Sequence, residues 1–389
     1  MSSAARRPCV IHVITRLIVG GAQQSLIELC GGLRDEFDLR IVTGPQTGSE
    51  GSLHQRAAEA APVTVVNALR REISPRRDLL AVRALRRLLR QMDGDIVHTH
   101  SSKAGIVGRF AAAPLRAHVV HTVHGWGHTP ADPPLRRAVL IALERAAANR
   151  SDALVAVSGD TREEGLACRI GRRGIYHVIP EVVKFDSPDP DFGRSRERAR
   201  RALGIDRDVE VIGWVGRFVE QKDPQTLSRA LARLLQRPPT RNAVLVGDGP
   251  RRADVEAELR AAGISDRVTL TGVVENARRL MPAFDVLIHP TRWEGQPVVV
   301  QEALAERVPV VSANASGIRE LIRDGETGFV VPSRDPEAMA QATMAVLGTP
   351  ALRAPLSYEV VRDLTSANRR AVALHRHRGL YNALLKDGL

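Results

Sequence analysis

Residues 95–125, DIVHTHSSKAGIVGRFAAAPLRAHVVHTVHG, decide the fold. Two apolar runs, DIVHTH and HVVHTVHG, flank KAGIVGRFAAA, which reads as a helix. A strand, a helix and a second strand in that order predict a right-handed crossover between parallel strands. The rhythm extends outward on both sides. Upstream, PCVIHVIT, DLRIVTG and APVTVVN read as strands, with GGAQQSLIELCGGL, SLHQRAAEA and the amphipathic DLLAVRALRRLLRQM as helices. Downstream, LRRAVLIALERAAANRS is a helix and DALVAVS a strand. Such alternation predicts an α/β class with a mainly parallel sheet.

Residues 186–208, DSPDPDFGRSRERARRALGIDRD, interrupt the pattern with proline, aspartate and arginine. They read as a linker with a short helix. The rhythm then restarts. VEVIGWVG, NAVLVGDG, DRVTLTG, DVLIHP and VPVVSA are expected strands; DPQTLSRALARLL, DVEAELRAAG, NARRLMPA and a helix opened by Glu302, EALAE, lie between them. The tail reads as further helices. The expected organisation is a first Rossmann-like domain over 1–185, a linker over 186–208, a second Rossmann-like domain over 209–360, and C-terminal helices over 361–389 that pack back on the first domain. Two doubly wound, Rossmann-like sheets would face each other across a cleft. Ligands bind beyond the carboxyl ends of such strands.

Composition narrows the function. A chain of 389 residues that is 43% apolar fills two cores. The net charge of +12 fits an anionic substrate, an anionic membrane surface or a solvated arginine-rich face. Aromatics make up only 3%, too few for a base-stacking platform, so nucleic acid is not expected as a partner. Cys9, Cys30 and Cys168 lack metal-ligand spacing and suit a reducing compartment. The chain has no apolar run of spanning length, and its N-terminal stretch lacks a signal-peptide shape. A cytoplasmic protein is expected, with peripheral contact at the inner face of the cell membrane as one option.

Four groups of residues carry candidate chemistry. Gly20 and Gly21 form the first strand-to-helix turn, where backbone can approach a ligand. The turn lacks GxGxxG, and no acidic partner follows the second strand, so a dinucleotide fold is disfavoured. Arg217 and Lys222, in WVGRFVEQKDP, place two cations near a helix start, as a diphosphate requires; a solvated loop pair is the plainer reading. His98, His100, His121 and His124 end two neighbouring strands. No carboxylate or cysteine accompanies them at ligand spacing, so a substrate-orienting or structural role is preferred to a metal. Glu294 and Glu302 flank the turn in HPTRWEGQPVVVQEALAERVPVV. A carboxylate accepts two hydroxyl hydrogen bonds from a sugar or ribose diol. Cations for a diphosphate and carboxylates for hydroxyls together describe a nucleotide sugar.

With these motifs in order, the chain resembles the GT-B-fold retaining glycosyltransferases of family 4. The resemblance spans nearly the whole sequence and is strongest in GRFVEQKDP, VLVGDGP, EGQPVVVQEALAERVPVV and IRELIRDGETGFVVP. It implies an EC 2.4 transferase moving a sugar from a nucleotide-sugar donor, expected to be UDP-linked, to a hydroxyl acceptor. It implies that Gly21 lies under the donor diphosphate, that Arg217 and Lys222 neutralise the leaving diphosphate, and that Glu302 holds the ribose hydroxyls. Glu294 would contact the donor sugar, with Gly295 and backbone near Gln296, Pro297 and Val298; Asn276 would lie near the base. His124 would touch the sugar at the reacting centre, where its carbonyl could help a developing oxocarbenium. Retention by front-face attack, with the departing phosphate as base, and no divalent metal or other cofactor, are further implications.

One position departs from the family pattern. VIPEVVKF has Glu181 where asparagine is usual, which puts the local turn and acceptor contacts in question. Basic segments at 70–78 and 128–137 are the candidate acceptor loops and suggest a lipid-linked glycan or polysaccharide precursor. An aminocyclitol or antibiotic-core acceptor competes with that reading. A degenerate nucleotide-sugar-binding subunit is the non-catalytic alternative. The oligomeric state is not legible.

Overall fold

The computed structural model describes residues 6–47, 51–129, 131–184, 189, 191–236, 241–357, 359–361 and 370–387. The chain forms two compact units, Met1–Lys184 with Asn368–Leu389, and Phe185–Ala367.

In the first unit the strands are β1 (Cys9–Ile14), β2 (Asp38–Thr43), β3 (Val63–Val65), β4 (Ile96–His100), β5 (His118–Val123), β6 (Ala153–Ala156) and β7 (Tyr176–Val178). They form one parallel sheet in the order β3-β2-β1-β4-β5-β6-β7. Helices α1 (Gly21–Leu33), α2 (His54–Ala60), α3 (Pro75–Met92), α4 (Ser102–Ala112), α5 (Pro134–Ala148) and α6 (Gly159–Ala167) connect them. β1 and β4 are buried along their whole length, as strands covered on both faces must be. That is why they read as apolar runs interrupted only by histidine and Thr99. α3 buries Ala81, Leu85 and Leu89, one residue per turn, and exposes most of its arginines. α5 instead leaves Leu135, Val139 and Leu143, also one per turn, exposed. A buried ion pair joins α4 to α5: Arg109 Nη2 lies 2.5 Å from Glu144 Oε2.

In the second unit the helices are α7 (Phe192–Leu203), α8 (Pro224–Leu235), α9 (Arg252–Ala261), α10 (Val298–Ala305), α11 (Pro336–Gly348) and α12 (Pro350–Arg353). The strands are β8 (Glu210–Val215), β9 (Arg241–Val246), β10 (Val268–Gly272), β11 (Val286–His289), β12 (Val310–Ala313) and β13 (Gly328–Val331), in the order β10-β9-β8-β11-β12-β13, all parallel. Aspartates cap α7, α8 and α11 through Asp191, Asp223 and Asp335, satisfying amides that no helix carbonyl can reach.

α13 (Arg370–Asp387) returns to the first unit. Arg370 and Arg378 pair with Glu28 and Glu36, and buried Tyr381 meets Phe37 edge-on at 5.5 Å between ring centres.

Several local expectations are corrected. β7 and β13, of three and four residues, were not anticipated. NARRLMPA, expected as helical, takes the 3-10 form over Ala277–Ala283, with Pro282 inside it. Helix α10 starts at Val298, so Glu302 lies within it and does not open it. The helix expected in the 186–208 linker is α7, an integral part of the second unit; residues 186–188 and 190 lie outside the described residues, as do 362–369, 388 and 389 of the tail and Pro130 of the 128–137 loop.

Candidate functional site

Both sheets reverse direction of strand addition at one place, between β1 and β4 in the first unit and between β8 and β11 in the second. Chains diverge there, leaving room beyond the strand ends for a ligand. Gly21, Arg217, Lys222 and Glu294 follow the strands that flank those two places; Asn276 follows the edge strand β10, and His124 follows β5.

In the second unit, the loops after β8 and β11 are stitched together. Arg292 N donates to Gln221 O at 2.8 Å, and Thr291 Oγ1 to the same carbonyl at 3.1 Å. Arg292 Nη2 donates to Asp223 Oδ1 at 3.2 Å. This brings Lys222, in the 3-10 turn Glu220–Lys222, directly onto Glu294, where Nζ donates to Oε1. Glu294 Oε1, 3.0 Å from Thr291 Oγ1, shares that hydroxyl's one hydrogen with the Gln221 carbonyl; Gln221 Nε2 donates to Oε2 at 3.4 Å, and His289 Nε2 stands 3.5 Å from Oε1. Burial alone would raise the Glu294 carboxyl, but Lys222 and His289 more than reverse that and hold it at about 2. Burial and the neighbouring Lys222 lower His289.

Glu302 has the opposite environment. Burial in α10 pushes its carboxyl up to about 7, against the pull of Arg278 and with the help of Glu306. Arg278 Nε is committed to Glu306 Oε1 at 2.5 Å, so its charge is shared. Two glutamates eight positions apart therefore differ in their readiness to ionise.

Between them the chain prepares a helix start. Pro297 is the N-cap of α10, and its side chain offers no acceptor to the first amides of that helix, from Val298 onward. Buried Gln296 accepts from Gln301 Nε2 at 3.4 Å. Gly295 is pinned from behind: a Cβ on Gly317, whose φ is +73°, would lie 2.3 Å from the Gly295 carbonyl oxygen. Arg217 lies half-buried on the loop after β8, and Asn276 is exposed, just before the 3-10 helix that carries Arg278.

In the first unit, Gly21 opens α1, whose N-cap, Gly20, likewise offers no side-chain acceptor. His124 follows β5 and joins a row of imidazoles. Its Nδ1 lies 2.8 Å from Glu181 Oε1, and its Nε2 lies 3.1 Å from His100 Nδ1. His100 Nε2 meets His12 Nδ1 at 3.0 Å. Both ring nitrogens of His124 are thus engaged within the unit. His98 and His121 are held as structural histidines, one of the two roles expected of them. His98 is fully buried between Tyr381 Oη at 2.6 Å and Thr122 Oγ1 at 2.7 Å, and His121 bonds Thr99. His12, His98 and His100 each bring a ring nitrogen within 4.8 Å of the others, but these nitrogens are already hydrogen-bonded, apart from His12 Nε2.

His289, Thr291, Gln221 and His12 were not anticipated. His289 could have been found, because it ends a strand beside the switch point, where side chains face ligands. Thr291 and Gln221 carried no spacing signal.

Residues 19–186 match glycosyltransferase family 4, and residues 209–349 match glycosyl transferases group 1. The UDP-Gal:alpha-D-GlcNAc-diphosphoundecaprenol alpha-1,3-galactosyltransferase of Escherichia coli is 27% identical over 351 residues, 89% of each chain. A D-inositol 3-phosphate glycosyltransferase of Actinosynnema mirum is 30% identical over 288 residues, 69% of this chain and 67% of that one. The crystal structure of Anabaena HepE in complex with UDP and glucose shares the fold, with a TM-score of 0.82 at 20% identity over 97% of this chain and 100% of the other. Matched along both units, the chain belongs to the glycosyltransferase family 4 enzymes of GT-B fold and is a glycosyltransferase.

Proposed function

We propose that the enzyme transfers a sugar from a UDP-linked donor to a hydroxyl acceptor with retention of configuration. The contact of Lys222 with Glu294, beside the start of α10, carries this reading. An ammonium has three N–H donors and Glu294 accepts one of them. Arriving phosphate oxygens take the others and the helix amides, while the Glu294 carboxylate accepts from sugar hydroxyls. As the C1–O bond breaks, negative charge grows on the diphosphate. Lys222 and Arg217 stabilise that charge more than they stabilise the ground state. These cations do the work of a divalent metal, and none is required. Asn276, just before the 3-10 helix that carries Arg278, serves the base in this reading.

Glu302 supplies the test. As a ribose-diol acceptor it must be ionised, yet without donor its carboxyl sits at about 7. Binding therefore favours proton release, and affinity falls as pH drops. A nucleotide sugar has no titrating phosphate near neutrality. Calorimetry with UDP-, GDP-, ADP- and dTDP-sugars should show selective binding of the UDP-sugar, with Kd rising about tenfold from pH 8 to pH 6. Glu302→Gln should bind more weakly and lose the pH dependence, and Glu302→Ala should also weaken binding. No binding by any donor to the folded chain would defeat the reading in favour of a degenerate subunit.

The acceptor reading is a lipid-linked glycan held at an anionic membrane. The exposed stripe Leu135, Val139 and Leu143, with Leu79 and Leu80 beside the exposed arginines of α3, supports it. Apolar side chains enter the interface while arginines meet anionic headgroups. No helix among the described residues is long and apolar enough to cross a membrane. Sedimentation with vesicles containing phosphatidylglycerol should show binding that weakens with salt and falls in a Leu135/Val139/Leu143→Ser variant. Binding insensitive to both changes, or absent, would remove the membrane from the proposal and leave soluble acceptors such as aminocyclitols.

A further inference from the structure

The row of imidazoles ends in a carboxylate where the family pattern expects a neutral asparagine. We propose that Glu181 is a positioning residue: it fixes His124 as its Nδ1–H tautomer and, through His124, orders His100 and His12, so that the peptide after His124 is held in one orientation. This rests on the transferase reading for its catalytic consequence, but not for the tautomers themselves.

The hydrogen bookkeeping leads to the tautomers. Three contacts join four groups: His12 Nδ1 to His100 Nε2 at 3.0 Å, His100 Nδ1 to His124 Nε2 at 3.1 Å, and His124 Nδ1 to Glu181 Oε1 at 2.8 Å. Each contact needs one hydrogen. A neutral imidazole has one N–H and one bare nitrogen, so the row must point in one direction. An ionised carboxylate only accepts, so His124 donates from Nδ1. Its Nε2 is then bare and accepts from His100 Nδ1–H; His100 Nε2 accepts in turn from His12 Nδ1–H. His12 Nε2, fully buried and without a hydrogen-bond partner among the described residues, is the bare end. The reverse direction makes His124 an imidazolium or Glu181 a carboxylic acid, and leaves His12 Nε2–H as a buried donor with no acceptor. Burial holds His12 down at about 3 and His100 well below the ordinary imidazole value, which keeps both rings neutral.

Among the described residues, the polar groups beside the row are engaged elsewhere. His98 is bonded to Tyr381 and Thr122, His377 Nδ1 to the Ala373 carbonyl, and His121 to Thr99. Arg109, which acts on His121, is paired with Glu144. Ser25, His100, Thr122, His124, Glu181 and His377 all line one small cavity, so the row has a polar wall.

The pin matters because the next residue is Gly125, whose φ of +154° lies in a region side-chain-bearing residues rarely adopt. A glycine there leaves the His124–Gly125 peptide easy to turn. Anchoring both nitrogens of His124 fixes the ring, and with it the direction of the carbonyl that the family resemblance places at the reacting centre. A neutral acceptor at 181 can make the same bond; a hydrocarbon cannot.

Two readouts test this. Long-range proton–nitrogen spectra of the full chain labelled in histidine should show His12, His100 and His124 protonated at Nδ1 and bare at Nε2 at pH 7. Glu181→Leu should release His124 and give mixed tautomers at His100 and His12, while Glu181→Gln keeps the wild-type pattern. In turnover of the UDP-sugar, Glu181→Leu should lose roughly 10- to 100-fold in kcat, the scale on which supports of functional imidazoles act. The donor Kd should stay within about twofold, because the donor cations lie in the other unit, and Glu181→Gln should recover most of the loss. An Nε2–H signal for His124 in the wild type, tautomers unmoved in Glu181→Leu, or kcat unchanged in that variant would overturn the proposal. If Glu181→Leu does not fold, the wild-type spectrum decides: an Nε2–H signal for His124 overturns the proposal. Failure of the wild type to bind or turn over any donor would count against the transferase reading alone, since the ring spectra do not depend on it.

Discussion

Lys222→Ala is expected to slow release of UDP from the UDP-sugar by roughly 10²- to 10³-fold, about 3 to 4 kcal/mol. The loss should appear in kcat more than in donor Kd, because charge on the diphosphate grows as the glycosidic bond breaks. Lys222→Arg should recover only part of it. Lys222 meets Glu294 through one compact ammonium, while Thr291 and Gln221 also hold that carboxylate, and a planar guanidinium presents its donors differently. EDTA should leave wild-type turnover unchanged. The variant also has a signature away from catalysis. With Lys222 in place the Glu294 carboxyl is held at about 2, below its ordinary 4.5. A carboxyl held low contributes stability that is complete above its ordinary value and is lost as pH falls toward its folded value. Removing Lys222 takes away the largest favourable influence on the ionised form, so burial is left to push the carboxyl upward. Acid unfolding of Lys222→Ala should then begin at a higher pH than in the wild type. Less than a threefold change in kcat, from folded protein with an unchanged acid profile, would remove Lys222 from the site.

Most of the fold was legible because each buried parallel strand announces itself as an apolar run and each helix as a 3.6-residue pattern. The misses have physical causes. Tyr176–Val178 and Gly328–Val331 are too short to show a period. β13 is betrayed only by its glycine: a Cβ on Gly328 would lie 1.8 Å from the Val310 carbonyl oxygen, so no larger residue lets the strand reach its neighbour. Three consecutive valines opening α10 look like strand, since β-branched residues favour sheets, and tertiary burial overrides them. The site divides in the same way. Arg217, Lys222 and Glu294 were legible as chemistry, yet nothing local says that Lys222 and Glu294 touch, because the contact joins residues 72 positions apart across a topological switch. His98 and His100 were visible as an alternating pair. That one is a satisfied structural histidine and the other a link to His124 depends on Tyr381, 283 residues beyond His98, and on Glu181.

The largest effect on stability should come from a residue with no part in the chemistry. Asp285, just before β11, is buried and accepts from Arg196 Nη2 at 2.7 Å, Arg200 Nη2 at 3.0 Å and Val211 N at 2.7 Å. It thereby ties α7, the helix read from sequence as part of a linker, to the central strands of the second unit. Arg200 is itself only 3% exposed, and its Nη1 donates to the carbonyls of Asp206, Arg207 and Val209. Replacing both partners of such a pair with apolar groups can be nearly neutral, but removing one strands the other's charge in a dry site. Asp285→Ala should therefore destabilise the second unit by about 3 to 5 kcal/mol. Arg196→Met should do much less, because Arg196 is 25% exposed and water takes over part of its role. A chain of two units need not unfold in one step, so a single melting temperature is the wrong readout. Hydrogen exchange resolves the units: amides of β8 and β11 should exchange faster in Asp285→Ala by the factor that free energy implies, while β1 and β4 keep their wild-type protection. Loss of protection below about 1 kcal/mol at β8 and β11 would mean that Arg200 finds other partners and that α7 is held by its packing alone.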